Sequence, residues 1–235
     1  MVLVIEETFK SAHTTVMTDK QQHKGILVIS RHGESEWNLL GKWTGTTDVM
    51  LTDKGRADST LLGELLDDID FDIAYTSDLK RTNQTLDALL EGKNAQRQLR
   101  RRASAAFNER DYGDYTGMNK WEVKEKVGEE EFNNIRRGWA HPIPNGENLK
   151  EVHERVVPYF VEEISPRLQA GENVLLVAHG NSIRALMKYL EEIDERDMAE
   201  VEMPFGQLLI YHFDSSATKP VKKEIRKANI TPPKA

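Results

Sequence analysis

No cysteine occurs among the 235 residues. That removes disulfides, zinc–thiolate sites and a cysteine nucleophile from consideration, and it fits a reducing compartment. Long hydrophobic runs are also missing. The most apolar stretches, Ile26 to Ile29 and Val174 to Ala178, fall far short of the roughly 20 residues a membrane-spanning helix needs. A basic leader is lacking too, because Met1 to Lys10 carries Glu6 and Glu7 where a secretion signal needs positive charge. The expectation is a cytoplasmic chain with no membrane partner. Positive charge is not in excess: 32 Lys and Arg against 39 Asp and Glu leave −7, which disfavours nucleic acid as a partner. The one basic run, Arg97 to Arg102, is interrupted by Gln98 and Leu99 and reads as a solvated strand or loop. There is no His-x-His, no His-Glu-x-x-His and no aspartate cluster spaced for magnesium or manganese, so no metal is expected.

What is present is 38% hydrophobic and 30% charged sequence, enough for one α/β domain with a substantial core. Residues 1–23 read as an N-terminal extension: Met1 to Glu6 fits a short strand, and Ser11 to His23 is polar, aperiodic and expected to be mobile. Regular patterning begins near residue 24 and runs to 214, a single catalytic domain. Ile26 to Ile29 is a continuous apolar run ending in Ser30-Arg31-His32-Gly33, as a buried parallel strand would. Thr52 and Asp53 open a helix with Ala57, Leu61, Leu62, Leu65 and Leu66 on its apolar face. Phe71 to Thr76 is a second strand and Leu79 to Leu90 a second helix. Short helical stretches follow at Trp121 to Val127 and Glu130 to Arg137. Leu149, Val152, Val156, Phe160 and Ile164 mark a long amphipathic helix with a kink expected at Pro158. Asn173 to Ala178 is a third buried strand ending in His179-Gly180, with Asn181 expected to cap the next helix; Gln207 to Phe213 is a further strand, and residues 215–235 are a charged tail expected to be loose. The alternation predicts a three-layer α/β/α fold around a mostly parallel, doubly wound sheet.

Ligands of such sheets bind beyond the carboxyl ends of the strands. Two strands here end in His-Gly, and the strand between them in sequence is followed by Arg81. If the three are neighbours, His32, His179 and Arg81 converge on one pocket. A lone histidine at a strand end is more often structural; two at equivalent ends, each followed by glycine, shift the odds toward an anion site.

The sequence Arg31–Asn38 (RHGESEWN) resembles the signature of the histidine phosphatase superfamily. Trp43–Gly45, Tyr75–Arg81 (YTSDLKR), Asn108–Lys120 (NERDYGDYTGMNK), Ile135–Trp139 (IRRGW) and Ala178–Leu186 (AHGNSIRAL) follow in the order of its cofactor-dependent phosphoglycerate mutase branch. The resemblance covers roughly residues 25–214. It implies the phosphoglycerate mutase-like fold and a phosphohistidine on His32. Arg31, Arg81 and His179 would clamp the transferring group, with His179 donating to its oxygens, and Glu109 would be general acid and base. Ser35, Asn38, Thr44, Gly45, Gly180 and Asn181 would add neutral substrate contacts. Arg110, Tyr112, Lys120, Arg136 and Arg137 would hold the rest of a small anionic phosphorylated substrate. It also implies 2,3-bisphosphoglycerate as the priming phosphate donor, a place in glycolysis and gluconeogenesis, and a monomer or homodimer. The residue types suit the chemistry: a neutral imidazole, with an ordinary pKa of about 6.5, can attack phosphorus and later leave. Guanidinium forks meet phosphate oxygens in pairs. Glu34 and Glu36 match no catalytic position, and Trp37, Trp43, Trp121 and Trp139 read as packing or pocket rim.

Mutases and phosphatases share His32, Arg31, Arg81 and His179; the additional cations between 109 and 140 favour the mutase. Three departures point the other way. His141 to Glu147 (HPIPNGE) joins directly to the next helix, Thr46 stands where the family usually has tryptophan, and the tail is short and lysine-rich. The alternative is therefore a histidine-type phosphomonoesterase acting on small sugar phosphates or phosphoglycerates, and measurable phosphatase activity is expected beside the mutase. A catalytically dead binding protein is disfavoured because the nucleophile and its arginines are all present.

Overall fold

Alternating buried strands and amphipathic helices form a seven-stranded sheet covered on both faces in the computed structural model, which describes residues 3–8 (backbone only), 25–91, 99–214 and 218–233. In chain order the elements are β1 (Leu3–Thr8), β2 (Gly25–Arg31), α1 (Glu36–Leu39), α2 (Asp53–Glu64), β3 (Ile73–Thr76), α3 (Lys80–Leu89) and β4 (Arg100–Ala103). There follow α4 (Lys120–Val127), α5 (Glu129–Arg137), α6 (Leu149–Tyr159), α7 (Ser165–Gln169), β5 (Val174–Ala178), α8 (Gly180–Leu190), β6 (Gln207–Phe213) and β7 (Lys222–Lys227). The spatial order is β1-β7-β6-β2-β5-β3-β4. β2, β5, β3 and β4 are parallel neighbours, and β6, β7 and β1 continue the sheet by antiparallel pairing.

The apolar runs of β2 and β5 are buried on both sides, so neither alternates. Leu27, Ile29, Tyr75 and Leu176 face α6 and α8, while Val28, Ala74, Leu175 and Val177 face α2 and α3. This is the expected three-layer fold. The predicted stripe Leu149, Val152, Val156, Phe160 and Ile164 is wholly buried. At Pro158 the helix does not end; it passes into one widened π turn, Phe160–Ile164. Proline lacks the N–H that would bond four residues back, and a wider turn is one way the chain absorbs that defect.

The buried face of α2 differs from expectation in part. Ala57 and Leu61 are exposed, and Gly55, Ser59, Leu62 and Gly63 are turned inward. Glycine sets this seam. A Cβ at Gly55 would lie 2.1 Å from the carbonyl oxygen of Glu34, and one at Gly63 would lie 2.2 Å from that of Leu89. Of the predicted stripe, Leu62 and Leu66 are buried and Leu65 packs beside them. Hydrophobic periodicity gives glycine no weight, so it errs only in placing Ala57 and Leu61 inward where Gly55 and Ser59 lie. Gly55→Ala should therefore destabilise the fold by roughly 1–3 kcal/mol, because the obstructing atoms are backbone. A lower urea midpoint at unchanged slope would show it.

The segment from Ser215 on, expected to be a loose tail, contributes β7, and the sheet thus runs past the predicted 24–214 boundary. Its charges are what disguised it. Lys223 pairs with Glu191 at 2.9 Å, and Arg226 reaches Asp68 at 2.8 Å. These partners lie far away in sequence, so the strand reads as solvated until the fold supplies them. Residues beyond β7 turn back across α2, where the Thr231 carbonyl accepts from Lys54 at 2.6 Å and Ile230 packs over Gly206. At the N-terminus β1 pairs with β7, as a short strand was expected to form, whereas Ser11 to His23 lies outside the described residues. The basic run ends as the exposed strand β4, with Arg100, Arg101 and Arg102 facing Glu172, Asp87 and Glu163. Charge on a sheet edge discourages further pairing.

Candidate active site

Because β2, β5 and β3 are adjacent and parallel, their carboxyl ends meet. Arg31 closes β2, His32 follows it, His179 follows β5, and Arg81 sits in the first turn of α3 after β3. The His32 amide donates to the Ala178 carbonyl at 3.0 Å, which ties the two strand ends together. The two imidazole centroids are 4.9 Å apart, with the rings tilted by 58°.

Both histidines are almost fully buried. His32 Nδ1 lies 2.7 Å from the Gly33 carbonyl oxygen, which can only accept. Nδ1 therefore carries the proton and Nε2 carries the lone pair. Burial, then the nearby Arg81 and Arg31 guanidinium groups, hold the His32 pKa well below 6.5, against a smaller opposing effect of the Gly33 carbonyl. The ring is neutral at neutral pH, with Nε2 as the nucleophilic atom.

Arg81 is clamped on three sides. Its Nε donates to His179 Nδ1 at 3.2 Å, Nη1 to the Thr47 carbonyl at 2.9 Å and Nη2 to the Gly45 carbonyl at 2.8 Å. One N–H on each terminal nitrogen has no partner among the described residues. Burial lowers its pKa to about 10, still far above neutrality. His179 Nε2 lies 2.7 Å from Ser77 Oγ. Both nitrogens of His179 thus have partners within the protein, and its ring meets Arg81 beside the chamber.

Two adjoining chambers open here. An inner one, about 50 Å³, is lined by Arg31, His32, Asn38, Thr44, Gly45 and Arg81 together with Lys42 and Glu109. An outer one, about 160 Å³, shares Arg31, Glu109, Tyr112 and Lys120 with it and adds Arg136, Arg137, Gly180, Asn181 and Arg184. Arg31 donates from Nη1 to the Met203 carbonyl at 3.0 Å and stacks on Phe205 at 3.9 Å, while its buried Nε has no hydrogen-bond partner among the described residues; Thr44 Oγ1 is likewise buried without one. Orphaned donors at a cationic chamber are what an oxyanion would satisfy. Glu109 is buried, and its Oε1 accepts from the Arg110 amide at 2.8 Å and from the Asn181 amide at 3.2 Å, near the N-terminus of α8. Its Oε2 has no hydrogen-bond partner among the described residues. Lys120 has its pKa lowered to about 8 by burial first, then by Arg136 and Arg31, with Glu109 opposing.

Several predicted contacts have other duties. Ser35 is the N-cap of α1, its hydroxyl 2.8 Å from Asn38 Oδ1; that leaves the Asn38 amide nitrogen for a ligand. The Gly33 amide donates to Thr85 Oγ1 at 3.0 Å, and a Cβ on Gly33 would strike the Gly55 carbonyl at 2.4 Å, so this glycine serves helix packing rather than close approach of an anion. Arg110 is wholly buried beside Tyr112, on which it stacks; its Nη2 donates to the Ile135 carbonyl at 2.7 Å, while its Nε and Nη1 have no hydrogen-bond partner among the described residues. It closes the end of α5. Arg137 pairs with Glu202. His179, not Asn181, is the N-cap of α8; Asn181 Nδ2 donates to Tyr112 Oη at 3.0 Å. Trp43 is buried against Tyr112 at 4.5 Å between centroids, as packing and wall at once. Arg184, Ser77 and Phe205 were not singled out from sequence as site residues. Arg184 bonds the Val201, Met198 and Arg137 carbonyls and Asn181 Oδ1, locking three segments around the pocket. Its spacing from Asn181 on one helix face was the available signal.

A neutral imidazole nitrogen beside a cationic chamber with unsatisfied donors is equipped for phosphoryl transfer through histidine. The chain belongs to the histidine phosphatase superfamily: residues 27–225 match the family described as Histidine phosphatase superfamily (branch 1). A 2,3-bisphosphoglycerate-dependent phosphoglycerate mutase of Cytophaga hutchinsonii is 46% identical over 190 residues, which are 81% of this chain and 88% of that protein. One from Azorhizobium caulinodans is 42% identical over 202 residues, 85% of this chain and 98% of its own length. Among solved structures, Bacillus stearothermophilus YhfR superimposes with a TM-score of 0.72 at 26% identity, covering 82% of this chain and 93% of its own. The alpha-ribazole phosphatase of Shigella flexneri does so with 0.68 at 25% identity, covering 87% and 96%. No helix among the described residues is long and apolar enough to cross a membrane.

Proposed function

We propose that this chain is a 2,3-bisphosphoglycerate-dependent phosphoglycerate mutase, acting in the cytoplasm and interconverting 3- and 2-phosphoglycerate through a phosphohistidine on Nε2 of His32. The observation that carries this reading is the outer chamber. A simple phosphatase needs the inner chamber, where His32, Arg31 and Arg81 meet one phosphoryl group. The cluster of Lys120, Arg136 and Arg31 beyond it is mutually repulsive when unliganded, and a substrate with a carboxylate and a second phosphate would relieve that repulsion. The matching relatives are named as mutases.

In the proposed cycle Nε2 takes the phosphoryl group as its P–O bond breaks, and Glu109 supplies the proton to the departing substrate oxygen. In the reverse step Glu109 takes the proton of the accepting hydroxyl as the N–P bond breaks. Arg31 and Arg81 stabilise the charge on the oxygens in flight. The unsatisfied Arg31 Nε and Thr44 Oγ1 fit a bound bisphosphoglycerate, with Lys120 and Arg136 placed to hold its far end. When bound, 2,3-bisphosphoglycerate supplies the phosphoryl group that primes His32.

A coupled mutase assay run beside a phosphate-release assay tests the reading, together with acid-labile, alkali-stable labelling by 2,3-bisphosphoglycerate. Mutase turnover should exceed phosphate release, with some release detectable because the His141 to Glu147 connection is short. Release dominating on every phosphoglycerate would favour the phosphomonoesterase reading instead. Lys120 adds a pH signature. Its charge is lost as pH rises through about 8 in the free enzyme, so kcat/KM, which reports free-enzyme ionisations, should decline above that pH. In Lys120→Arg the decline should move to higher pH, because arginine stays charged.

A further inference from the structure

Glu202 has no part in the proposed cycle, yet it borders the outer chamber beside Arg31, Lys120, Arg136 and Arg137. A carboxylate in that position repels the anions the chamber would take. It pairs instead with Arg137, whose Nη2 donates to Glu202 Oε1. Both groups face water: 54% of the Glu202 side chain and 28% of the Arg137 side chain are exposed. An ion pair so open adds little to stability. Nor does the pair hold its loop in place. On one side of Glu202 the Val201 carbonyl accepts from Arg184 Nε at 2.8 Å, and on the other the Met203 carbonyl accepts from Arg31 Nη1 at 3.0 Å. The end of α5 is tied independently, by the Arg137 carbonyl accepting from Arg184 Nη2 at 3.0 Å. What the carboxylate adds is charge. It neutralises Arg137 and also supports the positive charge of Arg31 and Arg136.

We infer that Glu202 is a specificity-determining residue: a tethered counter-ion seated on Arg137, which the distal group of a ligand must displace and which then opposes that group the more strongly the more charge it carries. The outer chamber thereby accepts a carboxylate more readily than a second phosphate. A doubly phosphorylated ligand is held less tightly than the surrounding cations alone would hold it, which is selectivity by a built-in repulsive element. Only the identity of that ligand as a bisphosphoglycerate rests on the mutase reading; displacement of the carboxylate applies to any oxyanion that reaches Arg137.

Calorimetric titration of the full chain with inorganic sulfate and with tripolyphosphate tests this without turnover. Sulfate can be met by the inner chamber alone, whereas tripolyphosphate is long enough to reach from it into the outer one. Glu202→Gln keeps a hydrogen bond to Arg137 and removes the charge. It should bind tripolyphosphate roughly 3–10-fold more tightly than the wild type, and sulfate within about twofold, because the carboxylate is screened from the inner chamber. The gain should shrink as salt is raised, since the deleted charge is exposed. A pair that merely held the loop would give the opposite sign, with both anions bound more weakly once it was broken. If Glu202→Gln fails to fold, Glu202→Ala is read in the same way. Tripolyphosphate bound to the folded variant no more tightly than to the wild type overturns the inference, as does an equal gain for both anions. No phosphoglycerate enters the titration, so phosphate release dominating in the turnover assays would sink the mutase reading and leave this result standing.

Discussion

His32→Ala should abolish labelling by 2,3-bisphosphoglycerate and lower turnover by about 10⁶-fold, the scale of loss when a covalent nucleophile is removed. No neighbouring group can substitute. His179, the other imidazole at the sheet edge, has partners at both ring nitrogens, Arg81 and Ser77. The same geometry predicts the acid side of the pH profile. With its folded pKa depressed by burial, Arg81 and Arg31, His32 begins to protonate only well below 6.5, so kcat/KM should stay level as pH falls through 6.5. An acid decline centred at the ordinary histidine value would contradict the tautomer and burial argued for His32. Retained labelling of the alanine variant would move the phosphoryl acceptor elsewhere altogether.

The sheet edge on which this rests was legible in sequence to an instructive extent. Continuous apolar runs ending in His32 and His179 located two parallel strands, and the position of Arg81 after a third followed from the same pattern. What stayed hidden was whatever depends on atoms brought in from a distance. The charged strand β7 looks solvated because its partners Glu191 and Asp68 are remote. The face of α2 was placed only in part: Leu62 and Leu66 are buried as expected, but close contacts of the Gly55 and Gly63 backbone leave Ala57 and Leu61 outside. At the site, residue types carried the location but not the duty. Arg110 sits in a motif with catalytic residues, yet one of its nitrogens caps α5 and only Nε and Nη1 are without a partner among the described residues. Gly33 follows the nucleophile, yet what it makes room for is a helix. A motif records which side chains occur together; only the acceptors around each one settle which of them is left free for a ligand.

Glu109→Gln separates a chemical role from a structural one. The glutamine oxygen can still accept from the Arg110 and Asn181 amides, so the link to the start of α8 is kept and stability should change little. What is lost is the exchangeable proton on Oε2. Turnover with phosphoglycerates should fall roughly 10²–10⁴-fold, the usual contribution of a positioned general acid or base. An aryl phosphate whose leaving group needs no protonation should phosphorylate His32 at nearly the wild-type rate, because His32 Nε2 and the Arg31–Arg81 pair are untouched. Equal losses with both substrates would mean that Glu109 acts by holding the site together rather than by moving a proton. The substitution also deletes the carboxylate that supports the charge of Arg31, Arg81 and Lys120. Of these only Lys120 titrates near neutrality, at about 8 with Glu109 present; its alkaline decline should therefore begin at lower pH in the glutamine variant, giving a second reading of the same carboxylate that does not depend on the chemical step.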